Sequence, residues 1–169
     1  MNLTESARGI EFDLLAAALN FPRSADRVVD ALTADDFQHV ANALVFESYC
    51  RVYRDGKPLT KNAVFNDLRL SGKIEDVTEP YFSDMIAEKF FGEWHLDDFV
   101  KRVKETSLER RVKYAIARLH HEAENPSGPI ADLIALISET ATELSEKTAP
   151  KKYKTIAKLV GEMFDDIDK

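Results

Sequence analysis

Apolar residues recur at intervals of three and four along nearly the whole chain, the spacing of one buried helix face. In "GIEFDLLAAALNFP", Ile10, Leu14, Leu15, Ala18 and Leu19 keep that rhythm and Pro22 closes it. "SADRVVDAL" follows, with Ser24 the expected N-cap and Val28, Val29 and Leu32 the apolar side. "TADDFQHVANALVFESYCRVYRDG" opens with Thr33 and an acidic first turn, so its helix is expected to start there. Phe37, Val40, Ala41, Leu44, Phe46, Tyr49, Cys50 and Tyr53 cover most of its circumference, the mark of a helix central to a bundle. Thr60 caps "TKNAVFNDLRLSG", which ends at Ser71-Gly72. "TEPYFSDMIAEKFFG" is expected to use Thr78 as N-cap, Pro80 in its first turn and Gly92 as its stop. No stretch alternates with period two for long enough to require a strand. The pattern predicts an all-α bundle of about five helices in the first hundred residues.

Beyond Gly92 the helices lengthen. "HLDDFVKRVKETSLERRVKYAIARLHHEAEN" is one long pattern, either continuous or broken near Glu105-Thr106-Ser107. Its later part carries Leu108, Val112, Ala115, Ile116, Leu119 and Ala123, and "PIADLIALISETATELSEK" returns with Ile130, Leu133, Ile134, Ile137, Ala141 and Leu144. Each helix is about 25 Å long at 1.5 Å per residue, and the two form an αα-hairpin. At its tip, Asn125 is expected as a left-handed cap, Pro126 blocks continuation, and Gly128-Pro129 starts the return helix. Tyr114 lies beside one seam and Leu136 off the other, which widens the apolar surface. Two such stripes call either for a second copy of the hairpin across a two-fold axis or for the N-terminal bundle. The tail, "TAPKKYKTIAKLVGEMFDDIDK", begins with lysines and ends in an amphipathic pattern of Ile156, Leu159, Val160, Met163 and Ile167. Such a helix docks on a partner, or on its own bundle, or frays.

The organisation is therefore a helical bundle over 1–105, a long antiparallel hairpin over 106–147 and a linker with an amphipathic helix over 148–169. Composition adds three constraints. The formal charge of -7 argues against a general nucleic-acid binder and for protein partners. No apolar run approaches the roughly 20 residues that cross a bilayer, and the start has no signal-peptide pattern. The lone Cys50 cannot form an intramolecular disulfide and fits a reducing, cytoplasmic setting.

Candidate chemistry is thin. His120 and His121 point about 100° apart on a helix and cannot share a metal, and His120 with Glu124 makes an incomplete zinc site. His39 and His95 lie in separate segments. Gly56-Lys57-Pro58 and Gly72-Lys73-Ile74 do not continue as a phosphate-binding loop. Cys50 lies in the most apolar helix, and Asp35-Asp36, Asp97-Asp98 and Asp165-Asp166 sit at helix starts or solvated surfaces without a fixed partner. Tyr81, Phe82, Phe90, Phe91 and Trp94 crowd together as core with a candidate partner-facing patch. No catalytic, metal or cofactor site is expected.

The order of these features resembles the N-terminal collar domain of the DnaB-family replicative helicases. That family opens with acidic-x-x-[VL]-L-G-x-[IL]-L, and "IEFDLLAAALNFP" matches with Glu11 and Leu14-Leu15, Ala16 taking the usual Gly place. In "ADDFQHVANALVFESYCRVYRDGKPLTKNAVFNDLRLSG", Asp36-Phe37 and Phe46 match, Asn42 takes a usual His place and Thr60 a usual Asp place. "YFSDMI" and "HLDDFVKRVKETSLERRV" resemble later segments, while Thr78-Glu79-Pro80 replaces a usual Gly-Gly.

The resemblance implies a domain that oligomerises and docks partners in DNA replication, within the primosome. Hairpins pair two-fold through Leu108, Val112, Ala115, Ile116, Leu119, Ile130, Leu133, Ile134, Ile137, Ala141 and Leu144, and three dimers form a collar. Primase and a helicase loader or inhibitor would meet Tyr114, His120, His121, Asn125 and Leu136. The linker helix, 155–168, would dock Ile156, Leu159, Val160, Met163 and Ile167 on the neighbouring helicase ATPase domain, and would be poorly protected without it. The chain would stop where the RecA-like ATPase begins, so ATP and Mg belong to that domain and direct nucleic-acid contact is little. Two alternatives remain at this point. One is a stand-alone phage or mobile-element protein that binds a host helicase and modulates its loading. The other is a dimeric DNA-binding regulator using "VKRVKETSLERRVK".

Overall fold

The computed structural model describes residues 3–87 and 92–148, with side chains over 9–87 and 92–145. Eight α-helices and no strand occur among them. They are α1 (Leu3–Asn20), α2 (Ala25–Ala31), α3 (Val40–Arg54), α4 (Lys61–Leu70), α5 (Ile74–Val77), α6 (Glu79–Ala87), α7 (Leu96–Glu124) and α8 (Ile130–Thr148). Short 3-10 turns occupy Pro22–Ser24, Ala34–Asp36 and Glu93–His95. The chain divides into two compact units, Met1–Ser107 and Leu108–Lys169.

In the first unit α3 packs against α1, α4 and α5, and α1 also packs against α6. The second half of α1 is buried on every side from Leu14 to Leu19, because Ala16, Ala17 and Ala18 let neighbouring helices approach closely. Phe46, Tyr49, Val64, Leu68, Phe82, Met85, Leu96 and Phe99 complete this core. Burial pushes the Tyr49 hydroxyl well above the usual phenol range. The Thr60 cap is in place, its hydroxyl accepting from the Ala63 N–H at 3.1 Å.

One helix start and the role of two expected caps differ from the periodic reading. The segment from Thr33 forms a 3-10 turn, and α3 begins only at Val40. Asp36 explains the early stop: its carboxylate accepts from the Thr33 N–H at 2.9 Å and the Thr33 hydroxyl at 3.1 Å. Its other oxygen accepts from the buried Ser107 hydroxyl at 2.9 Å, tying this turn to α7. The start of α3 is then held by α1. Glu11, only 2% exposed, accepts from the Gln38 N–H at 2.6 Å, the His39 N–H at 3.1 Å and the Asn42 amide at 3.0 Å. The Tyr81 hydroxyl of α6 donates to Asn42 at 2.7 Å, so one polar chain joins α1, α3 and α6.

Ser24 occupies the N-cap position of α2 without capping it; its hydroxyl bonds Glu93 instead. Arg27 binds Asp97, so α2 is clipped to the start of α7. The turn before α6 contains an unforeseen helix, α5, too short for any periodicity to register. Thr78 precedes α6 as expected, its carbonyl accepting from the Phe82 N–H at 3.2 Å, and it also ends α5 with φ 58° and ψ 140°. Among the described residues it is the one non-glycine residue at positive φ, at a place where the resembling family has glycines. The α7 pattern is unbroken at Glu105-Thr106-Ser107.

Two variants test this account. Glu11→Ala leaves three donors in the interior without an acceptor and is expected to cost roughly 3 kcal/mol or more in urea unfolding. Thr78→Gly relieves backbone strain while adding unfolded-chain entropy, for a net gain of about 1 kcal/mol and a Tm higher by roughly 2–4 °C. An unchanged or lower Tm would contradict the strain at Thr78.

Candidate functional site

The second unit carries the surface that the apolar pattern singled out. Its helices meet at the turn Asn125–Pro129. Asn125 does not take the expected left-handed conformation, and the reason is local. The ring of Pro126 crowds the residue before it and pushes that residue towards extended angles. Asn125 caps α7 through its side chain instead, the amide donating to the His121 carbonyl at 3.2 Å. Glu122 closes the turn: its carboxylate accepts from the Ser127 N–H at 2.8 Å and also from the Ser127 hydroxyl. Those two bonds hold the Glu122 carboxyl below its ordinary pKa. Nothing in the apolar rhythm marks this latch.

Burial divides the hairpin into a seam and two open faces. On the hairpin part of α7 the half-buried or buried positions are Leu108, Arg110, Arg111, Val112, Ala115, Leu119 and Glu122, of which Leu108, Val112, Ala115, Leu119 and Glu122 keep the seam spacing; on α8 they are Leu133, Leu136, Thr140 and Leu144. Ala115 and Thr140 are the most enclosed and lie about equally far from the turn, where their small side chains suit close approach of the helices. Thr140 is polar but satisfied, its hydroxyl donating to the Leu136 carbonyl at 2.7 Å. Leu136, expected off the seam and open to a partner, is half-buried in it.

One step along a helix rotates the side chain by about 100°. The two helices run in opposite directions, so a forward step from either seam turns towards the same face of the hairpin. That step reaches Glu109, Lys113, Ile116, His120 and Ala123 on α7, and Ile134, Ile137, Ala141 and Ser145 on α8. Ile130 joins them one turn before Ile134. The isoleucines are open to solvent: Ile116 is 61% exposed, Ile130 72%, Ile134 59% and Ile137 48%. A backward step reaches the opposite face, with Arg111, Tyr114, Arg118 and His121 on α7 and Asp132, Ala135, Glu139 and Glu143 on α8. On α8 the forward face is therefore apolar and the backward face charged, while on α7 the forward face also carries the Glu109–Lys113 ion pair. The residues expected at one dimer interface separate accordingly. Leu108, Val112, Ala115, Leu119, Leu133 and Leu144 close the hairpin on itself, and Ile116, Ile130, Ile134, Ile137 and Ala141 remain open.

The other candidates stay apart. His120 pairs with Glu124 at 3.5 Å on an exposed turn, and His121 points to the charged face. His39 stacks on Tyr81, and His95 stacks between Trp94 and Phe99. Cys50 is buried. Among the described residues no group of three or more His, Cys, Asp or Glu side chains is placed to hold a metal ion. Nor is any helix long and apolar enough to cross a membrane. Within the aromatic cluster Phe82 is buried, Tyr81 half-buried and Trp94 exposed, whereas Phe90 and Phe91 lie outside the described residues. So do Ile156, Leu159, Val160, Met163 and Ile167 of the tail.

Comparison with known proteins assigns the bundle. The family model for the DnaB-like helicase N-terminal domain matches residues 4–105, more than half of the chain. The chain belongs to this family. No curated protein matches it. Among solved structures it is similar to the N-terminal domain of DnaB helicase from Mycobacterium tuberculosis, with 19% sequence identity and a TM-score of 0.71. That match covers 86% of this chain and 97% of the other, a share that reaches past residue 105 into the hairpin. At this identity the likeness concerns the fold.

In this DnaB-like N-terminal domain the motif positions prove to be architectural. Glu11, Asp36 and Asn42 are the buried polar residues that fix helix starts, and Leu14, Leu15, Phe37 and Phe46 are core. The family motif thus specifies the platform, while the open apolar face lies on positions outside the matched segment. The turn latch offers a direct check. Ser127→Ala removes one of the two bonds to Glu122, so the Glu122 carboxyl should titrate at higher pH, read by its side-chain carbon shift in NMR. An unmoved titration would show that the hydroxyl plays no part.

Proposed function

We propose that this chain is an oligomerisation and partner-docking domain of a hexameric replicative helicase, pairing two-fold through the apolar face of its hairpin. The observation that carries the reading is that face. Ile116, Ile130, Ile134 and Ile137 are exposed in one row although the hairpin has already closed its own seam without them. Covering each isoleucine is worth roughly 1 kcal/mol, and a two-fold interface counts every contact twice. Three such pairs would make a collar. Primase and a loader or inhibitor would meet the exposed tip and charged face, where Tyr114, Arg118, His120, His121 and Asn125 stand open. Leu136, half-buried in the seam, contributes to that surface only by supporting it.

The net charge of -7 supports protein partners over direct nucleic-acid contact. In this reading the domain works in the cytoplasm and does no chemistry. ATP and Mg are used by the helicase's ATPase domain.

Replacing Ile134 and Ile137 by Glu tests the pairing. Neither residue belongs to the seam, so the variant should keep its helical circular dichroism and fall to monomer mass in light scattering. A variant that unfolds without a change of mass would make the row internal core instead.

A further inference from the structure

We propose that the tail of the same chain, residues 155–168, is a competing occupant of the hairpin's apolar face, so that two copies must displace the tail in order to pair. This rests on the pairing proposed above. Four observations carry it.

The first is adjacency: α8 bears most of the open row and the tail follows it directly in sequence. The spacer 149–154 reaches up to about 20 Å at roughly 3.3 Å per residue, enough for the chain to turn back along α8. The second is length. The tail's apolar row from Ile156 to Ile167 spans as many residues as the open row from Ile130 to Ala141, about 17 Å as a helix. The third is pattern: Ile156, Leu159, Val160, Met163 and Ile167 recur at helical spacing and form one stripe, matched to one uncovered stripe on α8.

The fourth is charge. Folded back antiparallel, the tail sets Lys151, Lys152 and Lys154 at the C-terminal, negative end of α8. The same arrangement carries Glu162, Asp165 and Asp166 towards its N-terminal, positive end. A short flexible tether gives the tail an effective concentration in the millimolar range at this face. A second copy at micromolar concentration must therefore displace it. Any partner that binds the tail uncovers the face, and docking of the tail becomes coupled to pairing of hairpins.

The test uses the full chain carrying Leu159→Glu and Met163→Glu, compared with the unaltered chain by sedimentation velocity over a concentration series. The dimer Kd is expected to fall at least about tenfold. Hydrogen exchange gives an independent readout. In the unaltered chain diluted to monomer, residues 155–168 should be protected, and Ile134→Glu with Ile137→Glu should remove that protection. An unchanged Kd together with exchange in 155–168 that is indifferent to the α8 substitutions would overturn the proposal while leaving the pairing intact. A chain carrying Ile134→Glu and Ile137→Glu that stays dimeric would instead overturn the pairing, and the exchange measurement would still decide the tail.

Discussion

A carboxylate with almost no access to water organises the bundle. Glu11 reaches from α1 to the two backbone N–H groups that precede α3 and to the side chain of Asn42 one turn inside it. Those N–H groups are orphans of a helix start, which a residue of the same segment usually satisfies. Here another helix supplies the acceptor, so α1 fixes the approach of the chain into α3. Tyr81 extends the dependence to α6 through Asn42. A buried charge held by three donors tolerates little displacement, which makes this network a device for register more than for raw stability.

The hairpin obeys a different constraint. One antiparallel pair of helices has one seam, and a helix of α8's composition has more apolar surface than one seam can use. Thr140 resolves which stripe goes inside. Its hydroxyl is satisfied by the preceding turn of its own helix, so it can be buried without leaving a polar group unpaired. Once Leu133, Leu136, Thr140 and Leu144 are inward, the isoleucines have nowhere to go but out. The open face follows from the seam geometry and requires no separate device.

Every helix but the short α5, their order and most boundaries were legible because period three to four is written by core packing itself. The family resemblance was legible in the same residues, since Glu11, Asp36, Phe37 and Phe46 are where packing and capping leave least choice. The errors have physical sources. A cap supplied from far along the chain leaves no local trace, which is why the Glu11 acceptor and the Ser24–Glu93 bond went unread. The Glu122–Ser127 closure is local, but it is made by polar groups that an apolar rhythm does not register. Thr33 and Thr78 carry the chemistry of helix caps, but Asp36 and the short α5 redirect the backbone first. In the hairpin, Thr140 lies outside the apolar stripe although it is buried in the seam. The remaining apolar residues then merged into a single stripe, and Leu136 was placed outside it.

The two faces of the hairpin also divide its duties by energy. The charged face, with both signs side by side, is solvated at little cost and offers orientation more than affinity to whatever meets it. The apolar face is costly to leave in water and indifferent to the identity of its cover, provided the cover presents a helical stripe of the right length. A second hairpin and, by its apolar spacing, the chain's own tail are the two covers proposed for it. Under that proposal occupancy is set by concentration and tether more than by specificity of contact, and the bundle, its core fixed by buried polar bonds, need not refold when the cover changes.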